Sequence, residues 1–194
     1  MGLPSRPSSK RAVWPAREEK EWLSMGFPVD EEERSLVIAS WEEVADSRQF
    51  AVDLYLQLFR MRPQIRYAFG CEKIAENELT GHPAFQRHTA NFANYIAMVI
   101  WSMAGSGPEA EAKAIERLSR VGERHQLLAK NFSIKDDYWD DVLHCILHQI
   151  VRRQGNSEAA VLVQAAWAKL FGFVVERMRL GYRSRASPSG QSMA

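Results

Sequence analysis

The residues in this chain best suited to hold a metal are two histidines on apolar stripes. Phe85, His88, Phe92, Ile96, Val99 and Met103 recur every three or four positions, so one helical face carries them all and His88 points inward. Ile115, Leu118, Gly122, His125 and Leu128 make a second such face, with His125 one turn after a glycine. Neutral imidazole is the commonest protein ligand for metals. A single inward histidine needs no more than a hydrogen-bond partner. Two on neighbouring amphipathic helices, one beside a glycine that permits close approach, admit another reading, in which both serve a group held between the helices. The spacing leaves both readings open.

Other reactive side chains point to plainer roles. His144 and His148 stand four apart in HCILH, but the glutamate of the HExxH zinc motif is missing. A surface or half-buried pair is expected. Cys71 and Cys145 give no reason to be joined, and Cys71 would be redox-active only if exposed. Asp136, Asp137, Asp140 and Asp141 suit the start of a helix, where carboxylates meet the positive end of the dipole.

The elements that position these groups follow from proline and periodicity. Pro63, Pro83 and Pro108 sit where helices should begin, and no proline falls between Pro108 and Pro188. Helices are expected at about 31–46, 48–62, 63–69, 83–104, 109–127, 135–153 and 157–182, with a further turn or two at 16–25. Asp30 and Glu33 make a capping-box pair before the first. No segment alternates with a period of two, so the chain reads as all-α.

Composition excludes several classes. Hydrophobic residues are 46% and charged residues 25%, which rules out a disordered or collagen-like chain. Two cysteines are too few for a secreted disulfide scaffold and fit a reducing compartment, so a cytoplasmic location is expected. A net charge of +1 gives no case for nucleic acid. That total conceals a split: residues 1–17 hold Arg6, Lys10, Arg11 and Arg17 with no acid, and 183–194 hold Arg183 and Arg185 with none. The segment 18–182 is therefore acidic, with 19 bases against 24 acids. No signal-type apolar run follows the basic start. The longest apolar run, about 96–101, is far short of the roughly 20 residues of a bilayer span, so no integral membrane segment is expected. Three segments follow: an extension at 1–30, mostly disordered, a domain at 31–182, and a disordered tail at 183–194.

In this context the sequence resembles the globins. The stretch SLVIASWEEVADSRQFAVDLYLQLFRMRPQIRYAF, residues 35–69, is similar to their opening helices, with Trp41 late in the first and Phe69 shortly after Pro63. Phe85-Gln-Arg-His88 resembles the distal-histidine helix and Val121-Gly-Glu-Arg-His125 the proximal-histidine helix. The stretch from Ala165 to Phe173, with Trp167 and Phe171, resembles the last helix. The pattern is most similar to neuroglobin-like and other non-vertebrate globins.

The resemblance implies seven to eight helices around a pocket for haem b, iron protoporphyrin IX. It implies that His125 is the proximal iron ligand and that His88 is the distal histidine and a sixth ligand when no gas is bound. Phe69 would pack on the porphyrin and Tyr55 would face the ligand. Phe85, Phe92, Ile96 and Leu118 would keep the slot dry. Phe92 departs from the valine or isoleucine usual at its position and would crowd the distal side. Arg66, Arg87 and Lys73 are candidates for the haem propionates. The implied function is binding of dioxygen, carbon monoxide or nitric oxide, including oxygen transport, by a protein that is not an enzyme. Redox or electron-transfer chemistry, nitric oxide or nitrite turnover, and a haem-free sensor module are the alternatives. The oligomeric state is not legible.

Overall fold

The computed structural model describes residues 26–44, 46–105, 107–128, 132–155 and 157–186. Among the described residues there are six α-helices: α1 Glu31–Glu42, α2 Ser47–Met61, α3 Pro83–Met103, α4 Pro108–Leu128, α5 Asp136–Gln154 and α6 Glu158–Ala186. Two 3₁₀ helices, Pro63–Phe69 and Glu76–Gly81, link α2 to α3. Among the described residues there is no strand, so the all-α expectation holds. The second 3₁₀ helix was not anticipated, because a single apolar residue, Leu79, among its six gives no apolar period. The expected turns at 16–25 lie outside the described residues, as do 1–15 and 187–194.

Local chemistry explains most boundaries. The Asp30 carboxylate accepts from the Glu33 amide and Glu33 accepts from the Asp30 amide, closing the capping box of α1. Helix α1 ends at Glu42 rather than 46 because Asp46 caps α2, its side chain accepting from the Gln49 amide at 2.9 Å. Gly70, at φ +61°, turns the chain out of the first 3₁₀ helix in a left-handed conformation that costs glycine little. Prolines open the first 3₁₀ helix, α3 and α4, as their fixed φ favours.

The core lies where α1, α2 and α6 meet. Trp167 is fully buried, stacks on Phe171 at 5.1 Å and donates its indole N–H to Ser40 Oγ at 2.9 Å. Trp41 packs between Trp167 and Phe50, at 6.0 and 5.6 Å. Phe27 and Val29 are also buried, Phe27 edge-on to Phe173 at 5.9 Å, so the packed body begins before residue 31. At the other end α6 continues to Ala186, four residues beyond the expected stop.

Helices α4 and α6 cross at backbone contact. A Cβ on Gly122 would lie 1.9 Å from the Met178 carbonyl oxygen, and one on Gly181 would lie 2.1 Å from that of Ser119. The glycine before His125 therefore admits a neighbouring backbone rather than a ligand.

By length and composition the stretch Glu158–Ser184 of α6 could cross a membrane, but half of its most apolar window is buried inside the fold. The four aspartates of α5 do more than start a helix. Arg62 pairs with Asp137 and Asp141 at 2.9 and 2.6 Å, Arg179 with Asp140 at 2.5 Å, and Arg183 with Asp136 at 2.6 Å. They tie α5 to the end of α2 and to α6.

Candidate functional site

His88 on α3 and His125 on α4 line the same interior slot. It has two lobes, with cavity volumes of about 120 and 240 Å³, and both are bordered by Tyr55, His88, His125, Trp139 and Val142. The smaller lobe is closed by Leu58, Ile65, Phe69 and Ile134, the larger by Phe92, Ile96, Leu118 and Val174. Among the described residues no carboxylate lines either lobe.

The imidazole of His125 is oriented by its own helix. Nδ1 lies 2.7 Å from the Val121 carbonyl oxygen. A carbonyl only accepts, so Nδ1 carries the proton and Nε2 keeps a free lone pair. Burial pushes the His125 pKa down, opposed in part by that bond, so the ring is neutral at ordinary pH. On its other side the ring meets Trp139 edge-on at 5.7 Å. This donor set fits a metal ligand whose second nitrogen is fixed by a backbone carbonyl.

His88 sits among aromatic edges. Phe69 is 4.5 Å and Tyr55 4.8 Å away, centroid to centroid, both near perpendicular. His88 Nε2 and the Tyr55 hydroxyl share a 2.8 Å hydrogen bond. Burial, with a further push from His125, lowers the His88 pKa to about 3. Burial and then Cys145 raise that of the Tyr55 phenol, so both partners are neutral.

The expected residues mostly converge. Tyr55, Phe69, His88, Phe92, Leu118 and His125 all line the slot, and Phe92 packs edge-on to Tyr55 at 5.2 Å. Phe85 does not: it is fully buried and packs on Phe59 at 5.7 Å, because α2 covers the first turn of α3. Trp139 and Val142 were missed, although with Ile146 they form a stripe at i, i+3 and i+7 on α5. Phe132, Ile134, Asn91, Tyr95 and Arg124 were missed too; only the approach of α3, α4 and the segment before α5 brings them together.

The other candidates lie elsewhere. His144 and His148 are half-buried with rings 6.5 Å apart, and among the described residues no group of three or more His, Cys, Asp or Glu could hold a metal. Cys71 and Cys145 are free and buried. Cys71 Sγ lies 3.2 Å from His82 Nδ1, and Cys145 Sγ lies 3.7 Å from Met61 Sδ.

The chain belongs to the globin family, whose model matches residues 52–178. A curated relative, globin-related protein glb-13 of Caenorhabditis elegans, is 23% identical over 152 residues, 77% of this chain. The chain spans about half the length of that relative, with 51% of it covered. Among solved structures, globin-like protein Glb-12 from C. elegans is similar with a TM-score of 0.71 at 18% identity, over 89% of this chain and 97% of that one. A hexacoordinated haem protein from an anhydrobiotic tardigrade gives 0.66 at 15%, over 81% and 97%. A neuroglobin from the marine acoel Symsagittifera roscoffensis gives 0.62 at 22%, over 77% and 97%.

Proposed function

We propose that the slot holds haem b between His125 and His88, and that the protein binds dioxygen, carbon monoxide or nitric oxide there. The observation that carries this is the pair of neutral imidazoles on the walls of one apolar slot, with His125 Nε2 left free by the bond from Nδ1 to Val121. Haem, when bound, would supply an iron able to take a gas. His125 would hold that iron, and His88 would ligate it when no gas is present, so that a gas would compete with His88. The tardigrade haem protein of the same fold, hexacoordinated itself, supports this reading. The apolar walls exclude water, and the Tyr55 hydroxyl and His88 offer hydrogen bonds to a polar gas. In this reading the chain is a cytoplasmic binding protein, not an enzyme, and oxygen transport or storage is within its chemistry.

Absorption spectra of the ferrous protein with and without carbon monoxide test it. Two resolved low-spin visible bands, replaced on adding the gas, are expected. One broad band in the unliganded form would sink six-coordination. His125→Ala should lose haem, and full retention would refute the proximal assignment. Absence of any haem band in chain given haem would favour the haem-free sensor.

One observation favours a redox role as a second reading. Trp139 packs on His125, and Tyr182, half-exposed on α6, packs on Trp139 at 6.0 Å. The three rings lead from the slot towards the surface. Fast loss of the oxygenated form on standing would favour that reading over storage.

A further inference from the structure

Helix α5 turns one face to the slot and carries two imidazoles on another. Tyr138, Trp139, Val142 and Ile146 border the lobes. His144 follows Val142 by two residues and His148 follows Ile146 by two. At about 100° per residue that sets both about 200° round the helix, away from the slot. The pair stands one turn apart, with ring centroids 6.5 Å apart and ring planes 26° apart. Neither ring has a hydrogen-bond partner among the described residues. His148 buries Nδ1 without one, which leaves Nε2 as the atom open to a ligand. Burial, then Arg152 and then His144, pushes the His148 pKa down, so this ring is neutral at ordinary pH and its lone pair is available. The carboxylates beside the pair are taken, Asp140 by Arg179 and Asp141 by Arg62. Among the described residues no third His, Cys, Asp or Glu joins the two imidazoles.

We propose that His144 and His148 form a two-imidazole site for a divalent transition ion, copper(II) foremost, on the outer face of α5, with water completing its coordination. The site does not depend on the haem reading above. Ligand number excludes a structural zinc site, which takes four protein ligands. Ligand type excludes calcium and magnesium, which take oxygen. Separation sorts the remaining ions. With metal–nitrogen bonds of about 2.0 Å, two imidazoles on a tetrahedral ion have centroids about 5 Å apart, and two at opposite corners of a square plane about 6 Å apart. The 6.5 Å found here is nearer the second, which is the geometry of copper(II) and nickel(II). A small side-chain rotation closes the difference. Copper(II) is also the tightest binder of the divalent series. Arg152, exposed one turn past His148, weakens the site by repelling a cation.

The test is titration of the full chain with copper(II) chloride against glycine as a competing chelator, read by electron paramagnetic resonance. A copper signal split by two nitrogens is expected. His144→Gln and His148→Gln should each weaken binding by about tenfold or more, since losing a ligand costs at least as much as losing the group that orients one. Arg152→Gln should strengthen it about threefold at low salt, and less as salt rises. Nickel(II) and zinc(II) should bind more weakly than copper(II). Copper held at full affinity by both histidine variants would overturn the site and place the ion elsewhere, the slot histidines included. Zinc bound as tightly as copper would overturn the square-planar assignment. Denaturation midpoints taken alongside separate loss of a ligand from loss of the fold. Copper should raise the wild-type midpoint more than that of either variant, and equal shifts would count against the pair.

Discussion

Tyr55 is the residue on which ligand competition turns. Its hydroxyl holds His88 Nε2, the atom that would have to reach the iron. A hydrogen bond of about 1 kcal/mol restrains His88 by about fivefold. Tyr55→Phe should therefore favour the six-coordinate form, and the apparent affinity for carbon monoxide should fall by about that factor. An unchanged affinity would mean that Tyr55 does not restrain His88. Cys145 offers a separate check on burial. Burial, and then the Asp141 carboxylate, push its thiol up to about 12. The unfolded thiol ionises from about pH 9, while the folded one keeps its proton. The unfolded state thus loses protons first, and stability falls as pH rises from about 9 towards 12. Denaturation midpoints across that range should be flatter for Cys145→Ala. The two histidines were legible from the sequence because each sits on a long apolar stripe. The Tyr55–His88 bond was not, since periodicity gives a face but not the distance between two helices.

At the scale of elements, the crossing of α4 and α6 is the tightest joint. Gly122→Ala would drive a methyl into the Met178 carbonyl, and no flexible side chain is there to yield. Overpacking of this kind costs typically 1–3 kcal/mol. The loss should appear in chemical denaturation as a lower midpoint at unchanged slope. Because His125 lies one turn further along α4, haem release should quicken in the same variant. The sequence offered Gly122 as a place of close approach without saying what approaches. The partner, Gly181, lies 59 residues away on a helix with no other mark of the contact. Helix starts were legible wherever a proline or a capping box stood. The second 3₁₀ helix was not, because its conformation is imposed by the connection between Phe69 and Pro83.

At the scale of the whole molecule, a slot lined by apolar side chains between five α-helices is a packing deficit until something fills it. A ligand that binds only the folded chain stabilises it by mass action. Haem should raise the thermal midpoint of the chain, and the shift should grow with haem concentration. Heating curves with and without added haem check this, and coincident curves would favour the haem-free module. The globin architecture was legible as a whole because its motifs fall in order along the chain, although none is specific alone. The edges of the body were less so. Phe27 and Val29 follow a basic, proline-containing stretch, and nothing local distinguishes them from an unpacked extension. Trp139 gives the slot one last property. Its indole lies 5.7 Å from His125, centroid to centroid, and lines the space between the histidines. A coloured planar guest would drain its excited state, so the ultraviolet emission of this protein carries a built-in gauge of how many copies are loaded.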